Sequence, residues 1–316
     1  MNAKLRIELY PEVKMNDHGA RCNLNCIWCH NDMMPVVACS LDNPFSQVNT
    51  ILEQVDILSA YYNGDTSVQI SSAGEPTLMP AKTMAYLIKG IRKAGFTNIG
   101  LTTNGTTGSR SLYDLFVEAG LTEINISLNT LKPERYLYYS GVAGGERLFQ
   151  HALNSIEYAL SSGLKTGVNC IYSSLNFDEI EDMIEFTGKS NGLTWKFFDL
   201  LGSGLTDMYK PMSQLMGFLE KQGFRLSERN NEEYVYYLIP VGLGQFKIKI
   251  SREANLCPNK ACTSRQECNE GCRASIRISK DGIQPCGVRR DNFIPNKSVF
   301  NKQLLVSGLR DGGKLN

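Results

Sequence analysis

Three cysteines near the start of the chain, Cys22, Cys26 and Cys29, indicate chemistry more clearly than any other residues of the sequence. They stand in the string Arg21-Cys-Asn-Leu-Asn-Cys-Ile-Trp-Cys29. Cubane iron–sulfur clusters are normally held by four cysteine thiolates. Three thiolates this close together can bind three corners of such a cluster, which leaves the fourth iron open to a substrate or a cofactor. We expect the chemistry of the protein at that open iron.

Other ligand chemistry is conceivable for the same three thiols. A structural zinc site needs four Cys or His ligands in tetrahedral geometry. His30 follows Cys29 directly, but adjacent residues rarely reach one ion. A disulfide framework is poorly supported, since the chain has 316 residues and no secretory signal. Unrelated thiols are the remaining alternative.

The C-x-x-x-C-x-x-C spacing, with Trp28 just before the last cysteine, resembles the signature of the radical S-adenosylmethionine (SAM) superfamily. The resemblance implies that SAM binds the open iron of a [4Fe-4S] cluster through its amino and carboxylate groups. It also implies an electron donor such as flavodoxin or ferredoxin. Cleavage of SAM would yield a 5′-deoxyadenosyl radical that removes hydrogen from a small-molecule substrate. In such enzymes the cofactor carries the hard step and the protein positions it.

The composition is that of an ordinary soluble protein. Lysine and arginine (33) nearly balance aspartate and glutamate (32), so the charge does not indicate a nucleic-acid or anionic-membrane partner. No apolar run approaches the ~18 residues of a membrane span, and no leader pattern is present. We therefore expect a cytoplasmic location. Ten cysteines are many for a reducing compartment, and metal binding would explain most of them.

Short β-rich runs alternate with amphipathic segments up to about residue 205. This alternation predicts an α/β fold, a partial (βα)6 TIM-like barrel over residues 1–205. Polar residues cluster after the strands, and in parallel barrels those positions form one rim. The predicted strands are Leu5–Tyr10, Val68–Ser71, Ile99–Thr103, Ile124–Leu128, Thr166–Tyr172 and Thr194–Leu201, and the helices include Asn49–Tyr62 and Thr83–Ala94.

The rhythm changes after residue 205. A helix (Ser213–Gln222), two paired strands (Tyr234–Pro240 and Phe246–Ser251) and a cysteine-dense segment follow. We predict that residues 206–316 form a small β-rich domain with an auxiliary iron–sulfur cluster.

Three strings on the predicted rim resemble SAM-binding motifs of the superfamily. They are Ala73-Gly-Glu-Pro76, Thr102-Thr-Asn-Gly105 and Asn125-Ile-Ser-Leu-Asn129. Turn formation and strand-end capping by Ser, Thr and Asn are the plain alternatives. The resemblance implies SAM contacts by Gly74, Glu75, Thr103, Asn104, Ser127 and Asn129.

Within the superfamily, the chain resembles the molybdenum-cofactor GTP 3′,8-cyclases, the MoaA type. Matching strings include Val168-Asn169, Asn176–Ile180 and Lys196–Leu201. That type binds a second [4Fe-4S] cluster through a C-x-x-C-x13-C pattern. The x13 interval is kept between Cys272 and Cys286 and reads as a hairpin.

The first part of that pattern is not kept, so its alignment stays open. Two alignments compete: in one, Cys268 and Cys272 correspond to the C-x-x-C pair, and in the other, Cys257 is the first ligand and an insertion precedes Cys272. The candidate ligands of the second cluster are Cys257, Cys262, Cys268, Cys272 and Cys286. Five cysteines would also suffice for a fully ligated cluster of the twitch or SPASM kind, and a zinc ribbon is the remaining alternative. Cys39 and Cys170 we interpret as ordinary thiols.

The arginines that grip the triphosphate in the cyclases are displaced in this chain. Lys196, Arg273 and Arg277 are our candidates for binding an anionic substrate, since arginine suits phosphate and carboxylate. We predict hydrogen abstraction from a compact polar substrate, a nucleotide, nucleoside or amino sugar, that starts a cyclisation, rearrangement, oxidation or epimerisation. A peptide-modifying radical SAM enzyme and a noncatalytic metal-binding or redox-sensing module are the alternatives.

Overall fold

The structure is a computed structural model that describes residues 4–13, 16–17, 20–29, 43–62, 64–72, 74–200, 206–230, 234–251, 275–285, 293–299 and 302–311. The strands are β1 (Lys4–Leu9), β2 (Val68–Ser72), β3 (Ile99–Thr103), β4 (Glu123–Ser127), β5 (Lys165–Tyr172), β6 (Thr194–Asp199), β7 (Ser227–Asn230), β8 (Tyr234–Val241), β9 (Gly244–Ser251), β10 (Ser275–Ser279), β11 (Gly282–Gln284) and β12 (Ile294–Pro295). The helices are α1 (Pro44–Ser59), α2 (Ala81–Lys93), α3 (Arg110–Ala119), α4 (Pro133–Ser140), α5 (Gly145–Ser161), α6 (Ile180–Lys189), α7 (Met212–Lys221), α8 (Asn296–Val299) and α9 (Lys302–Asp311).

The twelve strands form one sheet in the order β12-β11-β10-β1-β2-β3-β4-β5-β6-β9-β8-β7. From β10 through β1–β6 to β9, every neighbouring pair is parallel. Helices lie between the strands of β1–β6 along the chain. The predicted α/β fold with a partial barrel of parallel strands is therefore confirmed.

The segment after residue 205 joins the sheet at both edges. β9 pairs with β6, and β10 pairs with β1. The predicted hairpins are present, since β8 pairs antiparallel with β9, and β10 with β11. The boundary between two domains at residue 205 stays a prediction, because strands from both sides of it share the one sheet.

Side-chain alternation gives the barrel two different faces. On β1, Leu5, Ile7 and Leu9 are fully buried in the core, while Arg6 and Glu8 between them point to the opposite face because strand side chains alternate. On β4 and β6, the fully buried apolar residues likewise stand at every second position, Ile124 and Ile126 on β4 and Trp195 and Phe197 on β6. The apolar face packs against the helices. The other, concave face carries polar and charged side chains, which suits a substrate surface better than a closed core.

Capping explains where α1 begins, five residues before the predicted start. The Asn43 side chain accepts a hydrogen bond from Phe45 N at 2.8 Å, and Pro44 occupies the first turn. Both are typical of a helix N-terminus. The prediction used apolar spacing alone and missed this start.

None of the helices in the described ranges is both long enough and apolar enough to cross a membrane.

Candidate active site at the cysteine loop

The cysteine loop, residues 20–29, follows β1 and packs against the turn after β2. Glu75 N donates a hydrogen bond to Arg21 O at 3.0 Å, and Arg21 forms a parallel bridge with Gly74. Gly74 has φ +155°, and a Cβ built on it would lie 2.0 Å from Arg21 O. A side chain at position 74 would therefore overlap the loop backbone.

The other side of the loop rests on the C-terminal end of α4. Asn25 N donates to Ser140 O at 2.8 Å and Ile27 N donates to Tyr139 O at 3.0 Å. The ring of Trp28 stacks on that of Tyr139 with centroids 5.0 Å apart. The aromatic residue of the motif thus anchors the loop to the barrel.

The three thiols of the loop are half-buried and lie near one another. Burial is the main cause that raises the pKa of Cys22 to about 11 and that of Cys26 to about 12, and the neighbouring thiols add to both shifts. Thiolates are the metal-binding form of cysteine. Three thiolates grouped here need a compensating cation, and a bound iron–sulfur cluster supplies one.

The geometry of the described residues contains no group of three or more His, Cys, Asp or Glu side chains placed around one metal ion. A cubane makes a different demand, because each of its cysteines binds a different iron. Three half-buried thiols within one loop fit that demand in donor type and number. Cys22, Cys26 and Cys29 would hold the cluster.

Glu75 is a fully buried carboxylate at the centre of the rim. Its Oε1 accepts hydrogen bonds from Thr77 N at 2.9 Å and from Thr103 Oγ1 at 2.6 Å, and its Oε2 accepts one from Asn104 N at 2.6 Å. Burial raises the pKa of Glu75 against the effect of these bonds. Glu75 therefore ties the ends of β2 and β3 together, and Oε2 has room for one further donor.

Asn104 links the end of β3 to the cysteine loop. Its Nδ2 donates to Asn23 Oδ1 at 3.0 Å and lies 3.6 Å from Cys22 Sγ. Its Oδ1 accepts from Thr106 N at 3.0 Å and from Thr106 Oγ1 at 2.6 Å. Asn23 Nδ2 completes the network by donating to Thr106 Oγ1 at 2.8 Å. Neither Asn23 nor Thr106 was predicted to have a role, since Asn23 is a variable position of the cysteine string and Thr106 follows the Thr102–Gly105 string.

Ser127 and Asn129, at the end of β4, differ in their surroundings. Asn129 is buried, and its Oδ1 accepts from Ile171 N at 2.7 Å. Its carbonyl oxygen accepts from Asn176 Nδ2, also at 2.7 Å. Ser127 is half-buried on the concave face and pairs in register with Asn169. Asn169 is half-buried as well, so both side chains are partly exposed on the concave face.

The predicted anion-binding residues Lys196 and Arg277 each have an acidic partner. Lys196 Nζ lies 3.2 Å from Glu123 Oε1, and Arg277 Nη1 lies 3.0 Å from Glu8 Oε1. Burial alone would raise the pKa of Glu123, but Lys196 and Lys165 lower it to about 2. Arg277 is only 4% exposed. Both cations face the concave side, partly neutralised.

Two further lysines of the concave face were missed by the sequence analysis. Lys247 and Lys249 lie on β9, and Lys247 is the register partner of Lys196. The Lys247 ammonium lies 4.1 Å from the centre of the Tyr236 ring. Burial, followed by the charge of Lys196 and of other lysines, lowers the pKa of Lys247 to about 8. Their placement depends on β9 pairing with β6, which no local pattern reveals.

The predicted ligands of the second cluster and one predicted anion-binding residue lie outside the described residues. Only the hairpin β10–β11 of the x13 interval is described, with Ser279 paired to Gly282. The residues outside are Cys257, Cys262, Cys268, Cys272, Cys286 and Arg273.

A fold of parallel strands with a three-cysteine loop on its rim defines an iron–sulfur enzyme that uses SAM. The family model described as "Radical SAM superfamily" matches residues 16–187, more than half of the chain. The protein therefore belongs to the radical SAM superfamily. This family implies SAM and a [4Fe-4S] cluster as cofactors.

The chain is similar to proteins named as probable GTP 3′,8-cyclases. It is 28% identical to that of Pyrococcus abyssi over 291 residues, which cover 86% of this chain and 83% of the relative. It is 27% identical to that of Methanothermobacter marburgensis over 308 residues, covering 92% and 88%. The resemblance to the MoaA type is thus confirmed as a likeness over most of the chain.

Solved structures show the same fold. One described as "Native anSMEcpe with bound AdoMet and Kp18Cys peptide" matches with a TM-score of 0.63 at 16% identity, covering 99% of this chain and 82% of that chain. Another, "Native anSMEcpe with bound AdoMet", matches with a TM-score of 0.59 at 17% identity, covering 97% and 83%.

Proposed function

We propose that this radical SAM enzyme abstracts a hydrogen atom from a nucleotide bound on the concave face of the barrel, and that GTP, as in the names of its relatives, is the first candidate. The nucleotide is the member of the predicted substrate classes that carries a strong negative charge. Four basic side chains on the concave face, Lys196, Lys247, Lys249 and Arg277, favour such a substrate.

One row of residues carries the proposal. Ser127, Asn169, Lys196 and Lys247 are register partners across β4, β5, β6 and β9. Neighbouring strands lie about 4.8 Å apart, so the row spans about 14 Å. It runs from the SAM-binding rim to the lysines. A ligand of nucleotide length can place its sugar near SAM and its phosphates near Lys247.

The residues of the rim have different roles in this proposal. When bound, the cluster and SAM would supply the 5′-deoxyadenosyl radical that removes the substrate hydrogen. The backbone of Gly74, the open side of Glu75 Oε2 and the Ser127 hydroxyl would contact SAM. Thr103 holds Glu75 in place by donating to its Oε1, and Asn129 ties the end of β4 to β5 by accepting from Ile171 N.

The proposal includes a second [4Fe-4S] cluster. Its support is the antiparallel hairpin β10–β11, which lies beside β1 in the sheet and spans most of the interval between Cys272 and Cys286. Iron counting in variants that each lack one of these cysteines would identify the ligands of that cluster.

The test is substrate-dependent cleavage of SAM by the anaerobically reconstituted wild-type protein. We expect GTP to increase the release of 5′-deoxyadenosine about tenfold or more over SAM alone. GTP deuterated on the ribose should transfer deuterium into the 5′-deoxyadenosine. Guanosine, an amino sugar and a cysteine-containing peptide serve as comparison substrates. Stimulation by the peptide alone would contradict the nucleotide and favour the peptide-modifying alternative.

Nucleotide affinity should depend on pH through Lys247. With a pKa of about 8, Lys247 is mostly charged at pH 7 and mostly neutral at pH 9, so affinity should fall as pH rises through this window. Lys247→Gln should weaken binding about tenfold at pH 7, the equivalent of ~1.4 kcal/mol, and remove this pH dependence. Isothermal titration calorimetry with GTP and without SAM measures both effects.

Lys189→Gln is the matched control, because Lys189 is an exposed lysine that pairs with Glu185 on α6. It should bind GTP as the wild type does. Equal affinity of the wild type and Lys247→Gln at pH 7 would exclude Lys247 from the nucleotide site.

A further inference from the structure

We propose that Asn104 is a positioning residue whose side-chain amide holds the Cys22 sulfur and thereby sets the reduction potential of the SAM-binding cluster. This inference rests on the proposed binding of the cluster by Cys22. It gives Asn104 a role toward the cluster rather than toward SAM.

The hydrogen-bonding capacity of Asn104 supports this role. A carboxamide has two N–H donors and two acceptor positions on its oxygen. The two donors meet Asn23 Oδ1 and Cys22 Sγ, and the two acceptor positions meet Thr106 N and Thr106 Oγ1. The side chain is buried. A SAM contact by this side chain would therefore break one of four existing contacts.

The same network fixes the direction of the N–H group. Thr106 holds the oxygen of the amide on one side, and Asn23 holds one amide hydrogen on the other. The second hydrogen is then directed at Cys22 Sγ, 3.6 Å from Nδ2. Leu24 N also donates to this sulfur, at 3.4 Å. Among the described residues, Cys22 thus has one fixed side-chain donor and one backbone donor.

Donors to cysteine sulfurs change the electron affinity of iron–sulfur clusters. An N–H group stabilises negative charge on sulfur, and the reduced cluster carries one more negative charge than the oxidised one. The bond is therefore stronger in the reduced state and raises the potential. Because the site is buried, the low local dielectric increases the effect. Removing the donor should make the cluster harder to reduce.

The experiment is a redox titration of the reconstituted protein followed by electron paramagnetic resonance. Asn104→Asp keeps the acceptor oxygen for Thr106 but loses both donors, and Asn104→Ala loses donors and acceptor without adding charge. In both variants we expect the reduction potential to become more negative by ~59 mV for one electron. At a fixed potential, this shift lowers the ratio of reduced to oxidised cluster about tenfold. A shift in Asn104→Asp alone would be an effect of its charge and would overturn the proposal.

Thr106→Val is the matched control. It removes a hydroxyl from the same network but leaves the Asn104 N–H group and Thr106 N in place. Its potential should equal that of the wild type; an equal shift in Thr106→Val and Asn104→Asp would mean that loop packing alone sets the potential.

A second measurement detects the bond itself and does not depend on Asn104→Ala. With 15N in asparagine side chains, the pulsed spectrum of the reduced wild-type cluster should contain a weak nitrogen coupling that Thr106→Val keeps and Asn104→Asp loses. A coupling equal in all three would refute the bond, whatever the fate of Asn104→Ala. Iron and sulfide analysis separates the two proposals: a wild type without a cluster fails the proposed function, whereas an intact cluster with unchanged potential in the variants fails this inference alone.

Discussion

Replacing Cys22, Cys26 and Cys29 together with alanine will remove one [4Fe-4S] cluster and abolish the release of 5′-deoxyadenosine. The three thiols are grouped and half-buried on the rim, and the cluster has no other ligand from the loop. Iron and sulfide content per chain should each fall by about four, and SAM should remain uncleaved. Colorimetric iron and sulfide assays and chromatography of the nucleoside products measure these changes under anaerobic conditions.

Cys170→Ala is the control for that triple variant. Cys170 is a fully buried thiol of the apolar core that lies outside the cysteine loop and accepts from Asn176 Nδ2 at 3.4 Å. Its loss should leave iron content and SAM cleavage unchanged. Continued release of 5′-deoxyadenosine by the triple variant would contradict the cluster assignment. A reconstituted wild type that holds a cluster but never cleaves SAM would favour the redox-sensing alternative.

The six strands β1–β6 and the cysteine loop were predictable from sequence because local patterns define them. β3 was predicted with its observed ends, since it is bounded by Asn98 and Asn104 and has no competing pattern. The proposed ligands of the cubane lie within eight residues of one another. These features can be predicted without knowing which distant segments of the chain contact one another.

The rest of the site depends on contacts between segments that are distant in sequence. Lys247 lies beside Lys196 only because β6 pairs with β9 rather than with β7, the next strand along the chain. Parallel pairing leaves no turn signal between the strands. The backbone donor to Glu75 Oε2 and the side-chain donor to Cys22 Sγ both come from residue 104, at the end of another strand. Motif strings named Glu75 and Asn104 as SAM contacts, but their protein partners are visible only in the fold.

Gly74 shows the same limit of sequence-based prediction at a single residue. The sequence identified it through a motif string, whereas the structure gives the physical reason, which is the close approach of Arg21 O to the position of its missing Cβ. The cysteine loop can lie against the end of β2 only if that position has no side chain. The loop and the SAM-binding turn are therefore one structural unit.

Gly74→Ala should consequently separate the cysteine loop from the rim. The positive φ costs about 1–3 kcal/mol for a non-glycine residue, and the overlap at 2.0 Å from Arg21 O adds about 1–3 kcal/mol. A total of about 4 kcal/mol reduces the docked population roughly a thousandfold. We expect reconstituted iron content to fall and SAM affinity to be lost, as measured by iron assay and equilibrium dialysis.

Gly163→Ala is the matched control, because Gly163 has φ +76° and nothing within 4 Å of a built Cβ. This variant should lose about 1–2 kcal/mol of global stability and keep its cluster. Normal iron content and SAM binding in Gly74→Ala would show that the loop docks by other contacts, such as those of Trp28 with Tyr139.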